Sequence, residues 1–413
     1  MADVCECAGN WRIEIANLLT GEVRHVVTPI SFEFETVFLD AGRGSLTFNG
    51  RTPETTGGQV LTNLGDVAPG EAAIYFSRIR GGLATPDNPI HMFGGYVETM
   101  QTLSNGEITL GIAEMQKYLD FRLIRSDLSW SDTNQNSIPA DLVDYTRGAN
   151  LSGGSVDPIP GPGIQLFGSS GLSAITRDRT YLGIDRKVIG EAIKEYIQIL
   201  NGPVYQMYHY RNPGGWRSVI RFTDEVEQGE VKTVEWSQLR DLSFSLDSNG
   251  LANTVDAFGE PFADGSPNIQ THANPASTFL PRFDAAATFP TVSSVPTLNN
   301  HAFGYQEDHY SLALDLRLMF SGLEYGQTAG GTTLTLDDLI PGNEVALDIN
   351  SGLWKFEAGP QFESSYQARV GRVSVSVGLE GPEQVTAQII SGEDGGPGSP
   401  GFIGAGPVDC EDC

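Results

Sequence analysis

The residues best suited to chemistry are four cysteines, Cys5, Cys7, Cys410 and Cys413, which are all the chain has. They stand as Cys-x-Cys at one end and Cys-x-x-Cys at the other. Four thiolates complete the tetrahedral shell of a structural Zn²⁺, or the corners of an iron–sulfur cluster. Cys-x-x-Cys is a familiar ligand spacing and Cys-x-Cys a less common one. The same thiols could instead close a disulfide between the ends, or stay reduced on separate tails. Glu6, Asp409, Glu411 and Asp412 flank them, and such charges keep a thiol protonated unless a metal is present. These four cysteines are the candidate metal ligands, and zinc or an iron–sulfur cluster is the candidate cofactor.

No catalytic constellation accompanies them. His25, His91, His209, His272, His301 and His309 are scattered, with no metal-type spacing, and are expected at the surface or in loops. A glycosidase needs two carboxylates across a cleft, and spacing selects no pair among 52 acids. Gly168, Ser169, Ser170 and Gly171 do not form a Gly-x-Ser-x-Gly elbow. Gly94-Gly95 and Gly330-Gly331 lack a phosphate-loop continuation and read as turns. Tyr205, Tyr208, Tyr210 and Trp216 could line a sugar site, or fill a core or an interface. No catalytic residue is assigned, and a non-enzymatic protein is expected.

Composition narrows the classes further. Acidic residues outnumber basic ones 52 to 25, a net charge of −27. Such a surface repels phosphate, and no Lys/Arg block offers a nucleic-acid or anionic-lipid patch. At 413 residues the chain can bury two or three cores. No run approaches the roughly 20 apolar residues of a membrane helix, so no integral membrane segment is expected. Residues 1–10 are acidic, without the apolar core of a signal peptide.

The elements that must position these groups are mostly strands. Trp11 to Ala16, Val23 to Ile30, Phe32 to Val37, Ser45 to Phe48 and Ala73 to Ile79 alternate as half-buried strands. Phe93 to Leu103 and Glu107 to Ala113 form a hairpin around Asn105-Gly106. Met115 to Leu123 reads as a short helix. The clearest helix signal starts at Asp185 as N-cap and runs through Val188, Ile189, Ala192, Ile193, Tyr196, Ile197 and Leu200. A hairpin follows, Val204 to Tyr210 and Trp216 to Phe222. Later strands are expected at 233–246, 252–258, 334–339, 344–349, 366–377 and 384–390. A second helix is expected after Gln306, with Leu312, Leu316, Met319, Phe320 and Leu323 on one face. The fold class is then mainly β with some α (α+β), two small β barrels joined by a helix-hairpin module. The divisions are 1–120, the first barrel; 121–176, a long connector loop; 177–230, the helix and hairpin. The second barrel follows at 231–391, with a loop at 260–304 and a helix at 306–325. A Gly/Pro-rich tail, 392–413, carries the last cysteine pair.

In this order of features the chain resembles the hub (minor tail) protein at the tip of long non-contractile phage tails. It is similar in plan to the central hub of contractile baseplates. The resemblance rests on Leu18-Leu19-Thr20-Gly21-Glu22-Val23, on Ser31-Phe32-Glu33-Phe34, and on the Gly-rich stretch from Gly42 to Phe48. It continues through Ala72, Ile74, Tyr75 and Phe76 to Phe93-Gly94-Gly95-Tyr96-Val97. Tyr181, Asp185, Ile189, Ile193 and Tyr196 match the middle helix, and Leu339-Ile340-Pro341-Gly342-Asn343-Glu344-Val345 a late turn into a strand. The plan covers most of residues 11–390; the long loops and the cysteine-bearing ends lie outside it.

The resemblance implies a structural virion protein at the tail tip, assembled in the host cytoplasm. Such hubs are homotrimers giving two barrels per chain, so that six barrels meet the sixfold tail tube. Implied partners are the distal tail protein, the tape measure protein and other minor tail proteins; the loops at 126–176 and 260–304, too long and irregular for barrel turns, are expected to pack on such neighbours. Genomic DNA passes through an acid-lined channel without specific binding. The rival reading is a tail-associated cell-wall glycan hydrolase or a carbohydrate-binding host-recognition protein.

Overall fold

The structure, a computed structural model, describes residues 11–50, 63–78, 90–148, 157, 163–199, 201–226, 231–235, 239–247, 252–273, 282–290, 292–309, 313–321, 334, 336–350, 355–356, 366–378 and 383–391. The four cysteines, and with them the expected metal site, lie outside these residues.

Strands β1 (Trp11–Asn17), β2 (Val23–Val27), β3 (Pro29–Val37), β4 (Asp40–Asn49), β5 (Ala72–Arg78), β6 (Ile90–Thr102) and β7 (Glu107–Glu114) open the chain. The middle holds β8 (Leu128–Asn134), α1 (Ser137–Tyr145), β9 (Leu166–Ser170), β10 (Thr176–Tyr181), α2 (Ile189–Ile197), β11 (Val204–Asn212) and β12 (Gly215–Thr223). The last part begins with β13 (Lys232–Glu235), β14 (Asp241–Asp247), β15 (Thr254–Phe258), β16 (Ile269–Ala273), β17 (Asp284–Thr288) and α3 (Val295–His309). It ends with β18 (Ala313–Ser321), β19 (Glu344–Asn350), β20 (Lys355–Phe356), β21 (Tyr366–Val377) and β22 (Gln384–Ser391).

Alternation decides the principal sheet. Phe32 and Phe34 of β3 point into one core, while Glu33 between them is exposed. Val373, Val375 and Val377 of β21 do the same. The two strands pair antiparallel, Phe34 opposite Val375 and Phe32 opposite Val377, and this seam joins the two halves of the chain. The sheet runs β14-β18-β22-β21-β3-β4-β7-β6-β5-β1-β2, with β19 branching from β21. Among the described residues it does not close, so the two expected barrels appear instead as one continuous sheet. One core serves both halves: Trp11, Phe34, Leu46 and Ile74 cluster with Leu318, Val345, Val370 and Ile389.

The far face of β1, β5 and β6 is covered as well. Ala16, Ala73, Tyr75 and Tyr96 pack into a second core with α1, α2 and the β11–β12 hairpin. A third unit is a small sheet, β16-β15-β17. On it α3 packs through Leu298 and Ala302.

Several expectations are corrected. The helix expected from Asp185 starts at Ile189: Gly183–Asp185 form a 3-10 turn, Arg186 adopts a left-handed φ of 52°, and Val188 is the N-cap. Met115–Phe121 is a 3-10 turn, as is Leu336–Leu339, read from sequence as a strand. Of the helix expected over 306–325, residues 306–309 are the end of α3 and 313–321 are strand β18. Its apolar residues at 312, 316 and 320 are spaced by four, which suits a helix face and a strand face alike. Leu318 settles the matter, since Leu316, Leu318 and Phe320 are all buried while Arg317 is exposed. The loop expected at 126–176 holds β8, α1, β9 and the start of β10, and that at 260–304 holds β16, β17 and most of α3.

Candidate assembly interface

The helix-hairpin module is fixed to the main sheet by buried polar groups. Glu14 lies on the β1 face opposite Ile13 and Ile15, beneath the hairpin, and is 1% exposed. Its Oε1 accepts from Arg12 Nε at 2.8 Å and Nη2 at 2.7 Å, and from Arg211 Nη1 at 3.0 Å. Its Oε2 accepts from Trp216 Nε1 at 2.7 Å. The Arg211 guanidinium and the Trp216 indole thus clamp β11 and β12 onto β1, and Arg12 holds the carboxylate in place. The Trp216 ring stacks flat on Tyr75, centroids 4.2 Å apart. Gly94 of β6 lets the hairpin come close, because a Cβ there would meet His209 Nδ1 at 2.6 Å.

One nucleophile–base pair sits in this contact. Ser218 Oγ and His209 Nδ1 are 2.9 Å apart. Both side chains are buried, Ser218 completely, with the Tyr75 hydroxyl 3.5 Å from Ser218 Oγ. Burial pushes the Tyr75 phenol up to about 12. A serine sealed under two aromatic rings cannot meet a substrate, so the pair is a core contact.

Glu114, at the end of β7, is also buried and accepts from the Gly42 N–H at 2.7 Å. Burial pushes its carboxyl up to about 8, with the Asp40 charge adding to the rise and the Gly42 bond opposing it. Nearby, Asp40, Gln116, Lys117, Asp120, Lys194 and Tyr205 help line a cavity of about 30 Å³. Enclosed space of that size suits ordered water. Lys194 pairs with Asp40 at 3.0 Å and Lys117 with Asp120 at 2.6 Å, so the lining charges are matched.

The histidine expectation needs correction too. His25, His209 and His301 are buried. His25 Nε2 lies 2.9 Å from Asp66 Oδ2, and His301 stacks on Phe289 with centroids 4.4 Å apart. Burial, helped by Arg179 and Arg177, lowers His301 to about 4. Among the described residues no group of three His, Cys, Asp or Glu could hold a metal ion.

The four aromatics weighed as a sugar site divide by strand face. Tyr205 and Trp216 face inward and are buried; Tyr208 and Tyr210 face outward and are 37% and 45% exposed. On the same outer face Tyr208 stands opposite Val219, which stands opposite Phe167, and Tyr210 stands opposite Arg217. Arg147, at the end of α1, covers the Phe167 ring at 3.7 Å. This face therefore combines Arg147, Arg217 and Arg221 with three aromatic rings. Its signal was in the sequence, since Arg217, Val219 and Arg221 alternate with the buried Trp216, Ser218, Ile220 and Phe222. Glu14 and Glu114 left no such signal, as a strand glutamate ordinarily faces water.

Sequence comparison finds no matching protein family and no matching curated protein. Solved structures do match. The 43 kDa tail protein of prophage MuSo2 from Shewanella oneidensis superposes with a TM-score of 0.52 at 9% identity, over 92% of this chain and 98% of that one. The fold is that of a phage tail protein. A chain of the Francisella PdpA–VgrG complex has the same tail-protein fold, with a TM-score of 0.51 at 10% identity, over 95% of this chain and 59% of that one. Within this fold the described elements supply polar clamps and an exposed basic face.

Proposed function

We propose that this chain is a structural protein of a phage tail, acting as a trimeric hub at the tail tip. The observation that carries the reading is the seam between β3 and β21, which builds both halves of the chain into one sheet. Two strand sets per chain become six in a trimer, suited to joining a sixfold tube to threefold tip proteins. Completion of each set into a barrel belongs to the same proposal, as do contacts with the distal tail, tape measure and other tip proteins. The net charge of −27 suits a channel wall that lets DNA slide past. The Glu14 clamp, which ties the helix-hairpin module to the main sheet, suits a rigid joint. Native mass measurement tests the reading: a species at three times the chain's 44.5 kDa is expected. A stable monomer that digests or binds peptidoglycan would instead establish the hydrolase or host-recognition reading.

A further inference from the structure

Among the described residues are an exposed basic sheet face and an exposed acidic hairpin. The first is the outer face of the β9-β12-β11 sheet, with Tyr208 and Tyr210 exposed beside Arg217 and Arg221. Arg217 Nη1 gives its hydrogen bonds to the carbonyls of Thr20 and Trp216, so its charge meets no carboxylate among the described residues. The second is the β15–β16 hairpin. Its pairing extends past the strands, from the Gly259 N–H to the Asn268 carbonyl and from the Phe262 N–H to the Ser266 carbonyl, so that the hairpin ends in a tight tip. Phe258, Phe262 and Ile269 are 36%, 42% and 40% exposed there. Asp256, Glu260 and Asp264 stand among them, and residues 252–273 contain no Lys or Arg.

We propose that the acidic tip of this hairpin in one copy docks on the basic, aromatic face of the next copy, closing the trimer head to tail. The inference rests on the trimeric reading above. A ring of three closes only through a heterologous contact, in which two different patches of the chain meet. The two faces meet that need: they lie on separate elements, both mix apolar with charged groups, and their charges are opposite. Arginine and tyrosine are the residue types that concentrate binding energy at interfaces. Charge also picks this pairing over others. In a chain with 52 acids and 25 bases, most surface contacts between copies are repulsive, so a local arginine cluster selects where a neighbour can seat.

The test uses the full chain and sedimentation over a range of concentrations. The tip variant is Glu260→Lys with Asp264→Asn; the asparagine keeps the acceptor that Asp264 Oδ1 offers to the Ser266 N–H at 2.9 Å. The face variants are Arg217→Glu and, separately, Tyr210→Ala. Each is expected to raise the trimer dissociation constant by about tenfold or more, as for other charge and hot-spot losses. A chain carrying Arg217→Glu together with the tip variant restores opposite charges and is expected to recover most of the loss. Tip and Tyr210→Ala variants that trimerise as tightly as the wild type would overturn the docking while leaving the trimer intact. A wild-type chain that sediments as a monomer would overturn the hub reading and this inference together.

Discussion

Replacing Glu114 by Gln isolates the stability of a buried carboxyl. The amide keeps the volume and an oxygen for the Gly42 N–H, and replaces the ionisable OH with an NH2 that does not titrate. Glu114 shifts from 4.5 to about 8 because burial disfavours its charge. The folded state therefore holds a proton that the unfolded chain releases. Stability from this group is complete below about pH 4.5, falls as pH rises through the window to about 8, and is flat above it. At about 1.4 kcal/mol per unit, the shift is worth at most about 5 kcal/mol, and a few kcal/mol is a realistic expectation. Glu114→Gln should match the wild type at pH 5 and exceed it by that amount at pH 9. Urea denaturation at the two pH values reads the difference directly. An equal gap between the two proteins at both pH values would refute the burial argument.

The other expected outcomes follow from the same contacts. Glu14→Ala leaves Arg12, Arg211 and the Trp216 indole without their shared acceptor, and should cost about 3–5 kcal/mol in denaturant stability. Gly94→Ala forces a methyl against the His209 and Tyr75 rings and should cost about 1–3 kcal/mol, with a matching change in Tyr and Trp near-ultraviolet dichroism. If Cys5, Cys7, Cys410 and Cys413 share one metal centre, elemental analysis should give zinc, or iron with a brown colour, and Cys410→Ser with Cys413→Ser should abolish it; preparations with neither metal would retire that proposal.

Most strands were legible because their period of two is written plainly. β21 fell where the alternation placed it, and β1, β7 and the β11–β12 hairpin within a residue or two, while β3 starts at Pro29, three residues before the expected Phe32. What failed was helix-strand arbitration where apolar residues are spaced by four, as in β18. α3 was invisible because its stripe is interrupted by His301 and Gln306, polar groups that tertiary packing buries. Long-range pairing was out of reach: nothing local in β3 or β21 says that they meet, since the partner is set by the whole sheet. The candidate face was half legible. The outward tyrosines were noted, but the hairpin's own alternation was needed to show that Arg217 and Arg221 join them. The acidic hairpin's first strand was legible at 252–258, but its tip and β16 passed as a loop, because Gly259, Pro261, Gly265 and Pro267 mask the pairing.

A symmetry-averaged image of the tail tip in the intact virion decides whether this chain forms the hub. Threefold density is expected, into which three copies of this chain fit directly beneath the sixfold tube, with the β15–β16 hairpin of each copy over the Tyr208–Arg217 face of the next. Absence of the chain from that position, or its presence as isolated single copies on a peripheral fibre, would contradict the hub reading.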